Sequence, residues 1–503
     1  MSISTEEPRP AAGSSIPAVT APTGPPPPTA IDSIIADYTE TVVPANARKT
    51  NFRMFLQFGS MQLVFGAVLV GYNARFQGLT LGRLALAMAI AAATMTVYCI
   101  GSANVGAVVG QTHASTTRSI FGRSGSWLVS LLLVVDGMAF YLFTVIFIMS
   151  LGTALLGDIP ALSVITAIVA FVMIVNNYFG FEGLVRFAQY VALPVIIVWG
   201  VYALIKALTT VSGAELSAVP HTSSTTSIFV TVGAMVGLST WGNEPDVFRY
   251  SKPGRASWWN IPTLTICYFL GAFLFPILGY LIATLSNQSD FSASIRYFSE
   301  FTMFGLGGVM LVVLLINQWA VQDGNLYIAI NGAQNLLSGI KGWKRQYTVI
   351  GLGLIAAGLT FILPSLTKTF TIVTGIGAVT VPVASTIMAM DLFVVPRLFG
   401  IRRTVTRVPS WSDTAFANWP AIVALVAGTT VGAVTGGLIP GTSGFGNTYI
   451  GFPALQAWVT GAVVYLVLVA LVARTARSRE WLGHRSDTAD VADVDMSEAA
   501  ASR

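Results

Sequence analysis

Gly233-Ala-Met-Val-Gly-Leu-Ser-Thr-Trp-Gly-Asn-Glu-Pro-Asp246 breaks into an apolar run with three glycines, two hydroxyls, an amide, two acids and a proline. A second, weaker interruption lies upstream, where Gly59, Ser60, Gln62 and Gly66 fall in the middle of an apolar segment near residues 52–74. If the chain is divided into two sets of five apolar segments, each interruption opens its own set. A pair of Gly/Pro-interrupted segments at matching places in two halves is the pattern of a transporter binding site. Unwound backbone exposes carbonyls and half-helix ends, which hold ions and polar ligands. The alternative is close packing of helices at small residues. The polarity of residues 239–246 goes beyond what packing alone asks for.

The rest of the chain places these interruptions in a membrane. Hydrophobic residues make up 54% of the 503 and charged residues only 10%, with a mean hydropathy of +0.71. Ordinary soluble domains carry roughly 25% charged residues, so lipid must act as this chain's solvent. Twelve apolar segments approach the roughly 20 residues needed to span a bilayer. They lie near 52–74, 83–110, 127–153, 159–178, 186–208, 226–245, 261–286, 302–327, 346–364, 370–395, 417–438 and 452–473. Backbone groups in hydrocarbon must bond within the segment, which makes these helices, and the alternating ten-residue pattern of a barrel is missing. The fold class expected is therefore an all-α polytopic membrane protein. It has five-plus-five inverted repeats over 46–208 and 226–395, two extra helices over 417–473, a disordered Pro-rich tail over 1–45 and a second tail over 474–503. No cleaved signal is expected, because the first 30 residues lack an apolar core.

The net charge of +5 does not point to nucleic acid, because the charges sit in short loops. With the amino terminus inside, inner loops and tails hold 22 of the 27 basic residues, and the outer side holds Arg75, Arg83, Lys206, Arg296 and Lys368. That asymmetry follows the positive-inside rule and puts both tails in the cytoplasm. Cys99 and Cys267 read as buried apolar residues. His113, His221 and His484 are too scattered to ligate a metal. Neither a cofactor nor an obligate protein partner is called for, and no GxxxxGK[ST] loop offers ATP drive.

Ionisable groups within the membrane are costly and usually functional. Asp136 lies in helix 3 with no basic neighbour in sequence, and it reads as a proton acceptor or ligand contact. Glu244 lies in helix 6. Asp323 in helix 8 reads as either a functional or a capping group. Asp391 and Asp246 sit near Arg397 and Arg249 and read as solvated or Arg-paired structural acids. In helix 8, Gln318, Gln322 and Asn325 share one face by their i, i+4, i+7 spacing. Amides both donate and accept, which suits the mixed edge of a pyrimidine or purine. A hydrogen-bonded seam between helices is the alternative.

These residues resemble the nucleobase–cation symporter-1 family, which includes the cytosine permeases. The resemblance is carried in order by Val43-Pro-Ala-Asn-Ala-Arg-Lys49, Phe121-Gly-Arg-Ser-Gly-Ser-Trp127, Pro245-Asp-Val-Phe-Arg-Tyr250, Asn317-Gln-Trp-Ala-Val-Gln-Asp323, Pro382 to Asp391 and Asn418-Trp-Pro-Ala-Ile422. It implies a substrate site between helices 1, 3, 6, 8 and 10. It also implies a stacking aromatic at Phe140, with Gly137 and Asp136 beside it, a helix 6 contact near Gly237, and polar contacts at Asn317 and Gln322. For cation coupling it points to Ser60 and Asn317, alongside the carboxylates Asp136 and Glu244. Sodium-coupled relatives carry hydroxyls where this chain has Ala320 and Val321. Hard cations need several oxygen ligands, so proton coupling is expected. The function expected is import of a nucleobase or related heterocycle across the plasma membrane. The rivals are sodium coupling, an amine or amino-acid symporter whose substrate amine pairs with Asp136, a passive channel, and a membrane enzyme.

Overall fold

The computed structural model describes residues 37–157, 159–218, 224–240, 242, 244–253, 258–362, 366–403, 405, 407–439, 450–475 and 481–482. Most of the two expected tails lies outside these residues, as do His221, Asn243, Ser443 and His484. Among the described residues every regular element is helical. The helices in the expected segments are α1 (halves α1a, Asn51–Gln62, and α1b, Val68–Phe76), α2 (Leu81–Val109), α3 (His113–Leu156), α4 (Leu162–Tyr178) and α5 (Gly180–Thr210). After them come α6 (halves α6a, Thr225–Ser239, and α6b, Glu244–Phe248), α7 (Asn260–Ser286), α8 (Gly307–Leu337), α9 (Arg345–Ile362), α10 (Lys368–Phe399), α11 (Trp419–Thr435) and α12 (Pro453–Val472). Each expected segment therefore holds a helix or a bent pair. Among the described residues seven helices are long and apolar enough to cross a membrane as they stand, and the chain is a multi-pass membrane protein.

Both expected interruptions are real. The two parts of α1 meet at 46°, with Leu63 and Val64 off the helical path. Helix α6a stops at Ser239, and Gly242 takes φ +75°, a left-handed conformation that favours glycine. At 15 residues α6a reaches only about 22 Å, short of the roughly 30 Å hydrocarbon core. Helices α5 and α10 share a different irregularity. Each contains one π-helical turn, Ala188–Ala192 and Met390–Val394, followed two residues later by Pro194 and Pro396. Proline offers no N–H to the ladder, and a π turn absorbs the lost bond.

Two helices run longer than their apolar patterns. Helix α3 starts at His113 and not near 127, kinking at Gly122 with φ +74°. The chain entering α11 is stitched into that kink. Arg123 N donates to Ala415 O at 2.8 Å, and Asn418 N donates to Phe121 O at 2.9 Å. Helix α8 continues to Leu337 because its polar end is bonded. Asn331 donates to Asp246 at 2.9 Å, and Asn335 to Ser130 at 2.7 Å. By contrast the apolar helix Phe291–Met303 lies across α8 at 102° and serves as a connector, so α8 proper begins at Gly307.

Helix α7 grips α1 at backbone distance. A Cβ on Gly71 would lie 1.7 Å from Pro276 O, and one on Gly279 would lie 2.1 Å from Val68 O. Small residues that let backbones approach are the usual glue of membrane helices.

Candidate functional site

The two breaks face each other. Gln62 Nε2, on the last residue of α1a, donates to Ser239 O at the end of α6a, at 3.4 Å. Helix α8 reaches the same place. Asn317 Oδ1 accepts from Phe65 N at 2.8 Å, and its Nδ2 donates to Leu63 O at 2.7 Å. The Ser60 hydroxyl turns back onto Gln57 O at 2.8 Å.

Helix α3 forms the next wall. A Cβ on Gly137 would lie 2.5 Å from Asn325 O and 3.0 Å from Ala329 N, so α3 and α8 touch here backbone to backbone. One turn further on, the Phe140 ring lies against α10 and α6. A Cβ on Gly377 would stand 2.8 Å from Phe140 Cε2 and 3.3 Å from Gly237 O. A Cβ on Gly237 itself would meet Thr374 O at 1.9 Å. Of the expected ligand residues, Phe140 and Gly237 are brought together, and Gly137 is set on α8. Thr374 also walls a cavity of about 150 Å³ between α1b, α6a, α10 and the start of α12, shared with Asn73, Thr231, Phe370 and Ala454.

What marks this region chemically is buried polarity without partners. Both Asp136 carboxylate oxygens, Gln318 Oε1, Gln322 Nε2 and Asn325 Oδ1 lack hydrogen-bond partners among the described residues. All four residues are at most 2% exposed. Buried polar groups are normally paired, at a cost of about 1–3 kcal/mol when they are not. The group includes an amide donor and amide acceptors on one face of α8, the helix that packs against α3 at Gly137. That arrangement can hold a flat ligand whose edge alternates N–H and C=O.

The remaining acids separate by environment. Glu244 is fully buried and ringed by protic side chains. Ser102 Oγ lies at 3.1 Å, Cys99 Sγ and Tyr268 OH at 3.4 Å and Tyr98 OH at 3.5 Å. It faces α2 and α7, and no contact joins it to Asp136. Asp323 accepts from Asn176 Nδ2 at 2.7 Å and pins α4 to α8. Asp391 pairs with Arg403 at 2.5 Å and also bonds Tyr465. That answers the expected arginine pairing, with a later arginine than Arg397. Asp246 accepts from His113 N at 3.0 Å as well as from Asn331.

Two participants escape sequence reading. Gly377 backs the Phe140 ring. His113 Nδ1 sits 2.8 Å from Gly242 O in the α6 break. Both are made by tertiary contact.

No family model matches the chain. Curated relatives do. The cytosine permease of Escherichia coli strain K12 is 25% identical over 449 residues, covering 87% of this chain and 95% of the relative. The cytosine permeases of Escherichia coli O6:H1 and O157:H7 match equally. The chain resembles the nucleobase–cation symporters. Its fold agrees with that resemblance. Mhp1, a nucleobase-cation-symport-1 family transporter solved closed with bromovinylhydantoin bound, superposes with a TM-score of 0.65 at 14% identity over 89% of this chain and 99% of Mhp1. The inward-facing conformation of Mhp1 scores the same. A Na+-coupled sialic acid symporter in an outward-open state scores 0.61 at 11% identity over 86% and 92%. These relatives are permeases and symporters, and the chain is likewise a membrane transporter and not an enzyme.

Proposed function

We propose that this transporter imports a nucleobase-like heterocycle by cation symport, with the proton as coupling ion. The observation that carries the reading is the buried, unpartnered polar set of Asp136, Gln318, Gln322 and Asn325 on the packed helices α3 and α8. Cytosine and hydantoins share a planar ring whose edge mixes donors and acceptors. A ring stacked on Phe140 gains beyond its buried area, and its edge would supply the partners that the α8 amides lack. In this reading Gly137 and Gly237 let the helices that wall the site pack backbone to backbone. A sodium-coupled or amine-carrying symporter on the same fold remains the second reading, since the fold is shared with a Na+-coupled sialic acid symporter and Asp136 could pair with an amine.

Proton coupling is supported by what lines α8. Ala320 and Val321 are buried and carry no side-chain oxygen. The Ser60 hydroxyl and the Asn317 amide are engaged with the backbone of α1. Hard cations need several oxygens, whereas Asp136 and Glu244 are intramembrane carboxylates of the kind that relay protons. We further propose two inverted five-helix halves, 46–208 and 226–395. The matching breaks in α1 and α6 support this division, as do the matching π turn and proline in α5 and α10. Helices 11 and 12 over 417–473 stand apart, and both termini lie on the cytoplasmic side of the plasma membrane.

Uptake into proteoliposomes tests the proposal with labelled cytosine, uracil, adenine, hypoxanthine, allantoin and a hydantoin. An inward proton gradient in sodium-free buffer should drive accumulation of at least one of them, and Asp136→Asn should abolish the pH dependence. Accumulation that needs sodium and ignores the proton gradient would restore sodium symport.

A further inference from the structure

The break in α1 frees two backbone groups. In a continuous helix Phe65 N–H would donate to Met61 C=O, and Leu63 C=O would accept from Ala67 N–H. Here Ala67 N–H donates to Val64 O at 3.0 Å, so both groups need other partners. One side chain serves both. Asn317 Oδ1 accepts from Phe65 N–H at 2.8 Å, and Asn317 Nδ2 donates to Leu63 O at 2.7 Å. Gln318 Nε2 donates to the same Oδ1 at 3.1 Å, which fixes the orientation of the amide. Asn317 and Gln318 are buried. Irregular backbone at membrane depth survives only where its polar groups are re-bonded, and the free carbonyls at such breaks are where transporters seat ions and polar ligands.

We propose that Asn317 is a positioning residue, an amide splint that holds the α1 break open without a bound cation. The Asn317 donor occupies the Leu63 carbonyl, the place a cation would take. Nearby oxygens are committed as well. Ser60 Oγ donates to Gln57 O at 2.8 Å. Gln62 O is covered by α7, where a Cβ on Gly271 would lie only 2.4 Å away. Ala320 and Val321, one turn along α8, add none. Because its amide is used on α1, Asn317 acts on the ligand through the shape of the break, and direct contact falls to Gln318 and Gln322. The assignment deepens the transport reading above, but its test needs no substrate.

The test uses purified full-length protein and two readouts. The first is hydrogen–deuterium exchange over residues 63–67. In the wild type, Phe65 N–H should exchange as slowly as the flanking helical amides. Asn317→Ala should speed it about tenfold or more, as expected for losing a buried hydrogen bond. The second is thermal melting in sodium chloride against choline chloride. Wild-type melting should not distinguish the salts. Asn317→Asp removes the donor and sets anionic oxygen opposite Leu63 O, which creates a cation site. Its melting temperature should fall in choline and recover in sodium, while Asn317→Ala should fall in both. A wild type stabilised by sodium over choline would overturn the proposal. So would Asn317→Asp melting like wild type in choline. If neither variant folds, the wild type decides, since fast exchange at Phe65 would by itself refute the splint. A blank uptake panel would count against the transported ligand and leave this result standing.

Discussion

Phe140 shows how one side chain divides between packing and function. Its ring is 2% exposed and is backed by α10 at Gly377. Phe140→Ala should raise the half-saturation concentration for uptake, with a loss of roughly 1–3 kcal/mol by analogy with base–aromatic stacking. Unchanged kinetics in a well-expressed variant would remove Phe140 from the site. The amides of α8 make a parallel case. Gln318→Ala and Gln322→Ala should each weaken binding by about 1–3 kcal/mol, because a buried ligand edge would lose its partner. If the face is only a packing seam, both variants will transport normally. Phe140 and Gln322 were legible as site candidates from motif and spacing. The splinting role of Asn317 was not, because its partners lie more than 250 residues away in the chain.

Helices in this molecule meet through missing side chains. Gly237 presses α6a against the α10 backbone, where an added Cβ would sit 1.9 Å from Thr374 O. A carbonyl cannot rotate aside as a flexible side chain can, so Gly237→Ala should pry the two helices apart, lowering both melting temperature and uptake. Gly351→Ala in α9 is the matched control, since a Cβ there meets nothing within 4 Å. It should be neutral or stabilising by roughly 0.5–1 kcal/mol, the usual gain over glycine inside a helix. Equal destabilisation by both substitutions would refute the close-contact account. The apolar pattern located α6 and its break. It could not say which glycine is a contact and which is merely tolerated.

At the scale of the whole molecule, one end of the bundle is tied together by charge. Asp37, just before the first helices, pairs with Arg249 at 3.4 Å and Arg345 at 3.7 Å, and accepts from Phe181 N at 3.1 Å and Tyr250 OH at 2.5 Å. Arg249 in turn bonds Tyr327 OH at 2.7 Å. This network links the amino-terminal segment to the α6b exit, α8, α9 and the start of α5. Removing one partner of a buried ion pair costs about 3–5 kcal/mol, so Asp37→Ala should lower the melting temperature markedly. A melting curve unchanged from wild type would show that the network is not a stabilising tie. The sidedness of this end is a separate prediction. Single cysteines near Lys252, Lys344 and Arg402 should label only from the cytoplasm, and one near Ser289 only from outside. The opposite pattern would contradict the 22-to-five distribution of basic residues.

Composition along the chain set the solvent, the helical class, the places of twelve apolar segments and the two interruptions. These follow from local composition, because hydrocarbon tolerates only backbone that bonds within its own segment. It also marked Asp136 and the amide face of α8, since polar groups in apolar runs stand out one by one, while Phe140 came from the family resemblance alone. What those groups meet depends on how the helices pack. Packing left the Asp136 oxygens unpartnered, ringed Glu244 with hydroxyls and a thiol, pinned Asp323 to Asn176, and turned Asn317 onto the α1 backbone. Each of those outcomes depends on contacts between helices distant in sequence, and a buried polar group's role is set by the partner it finds there.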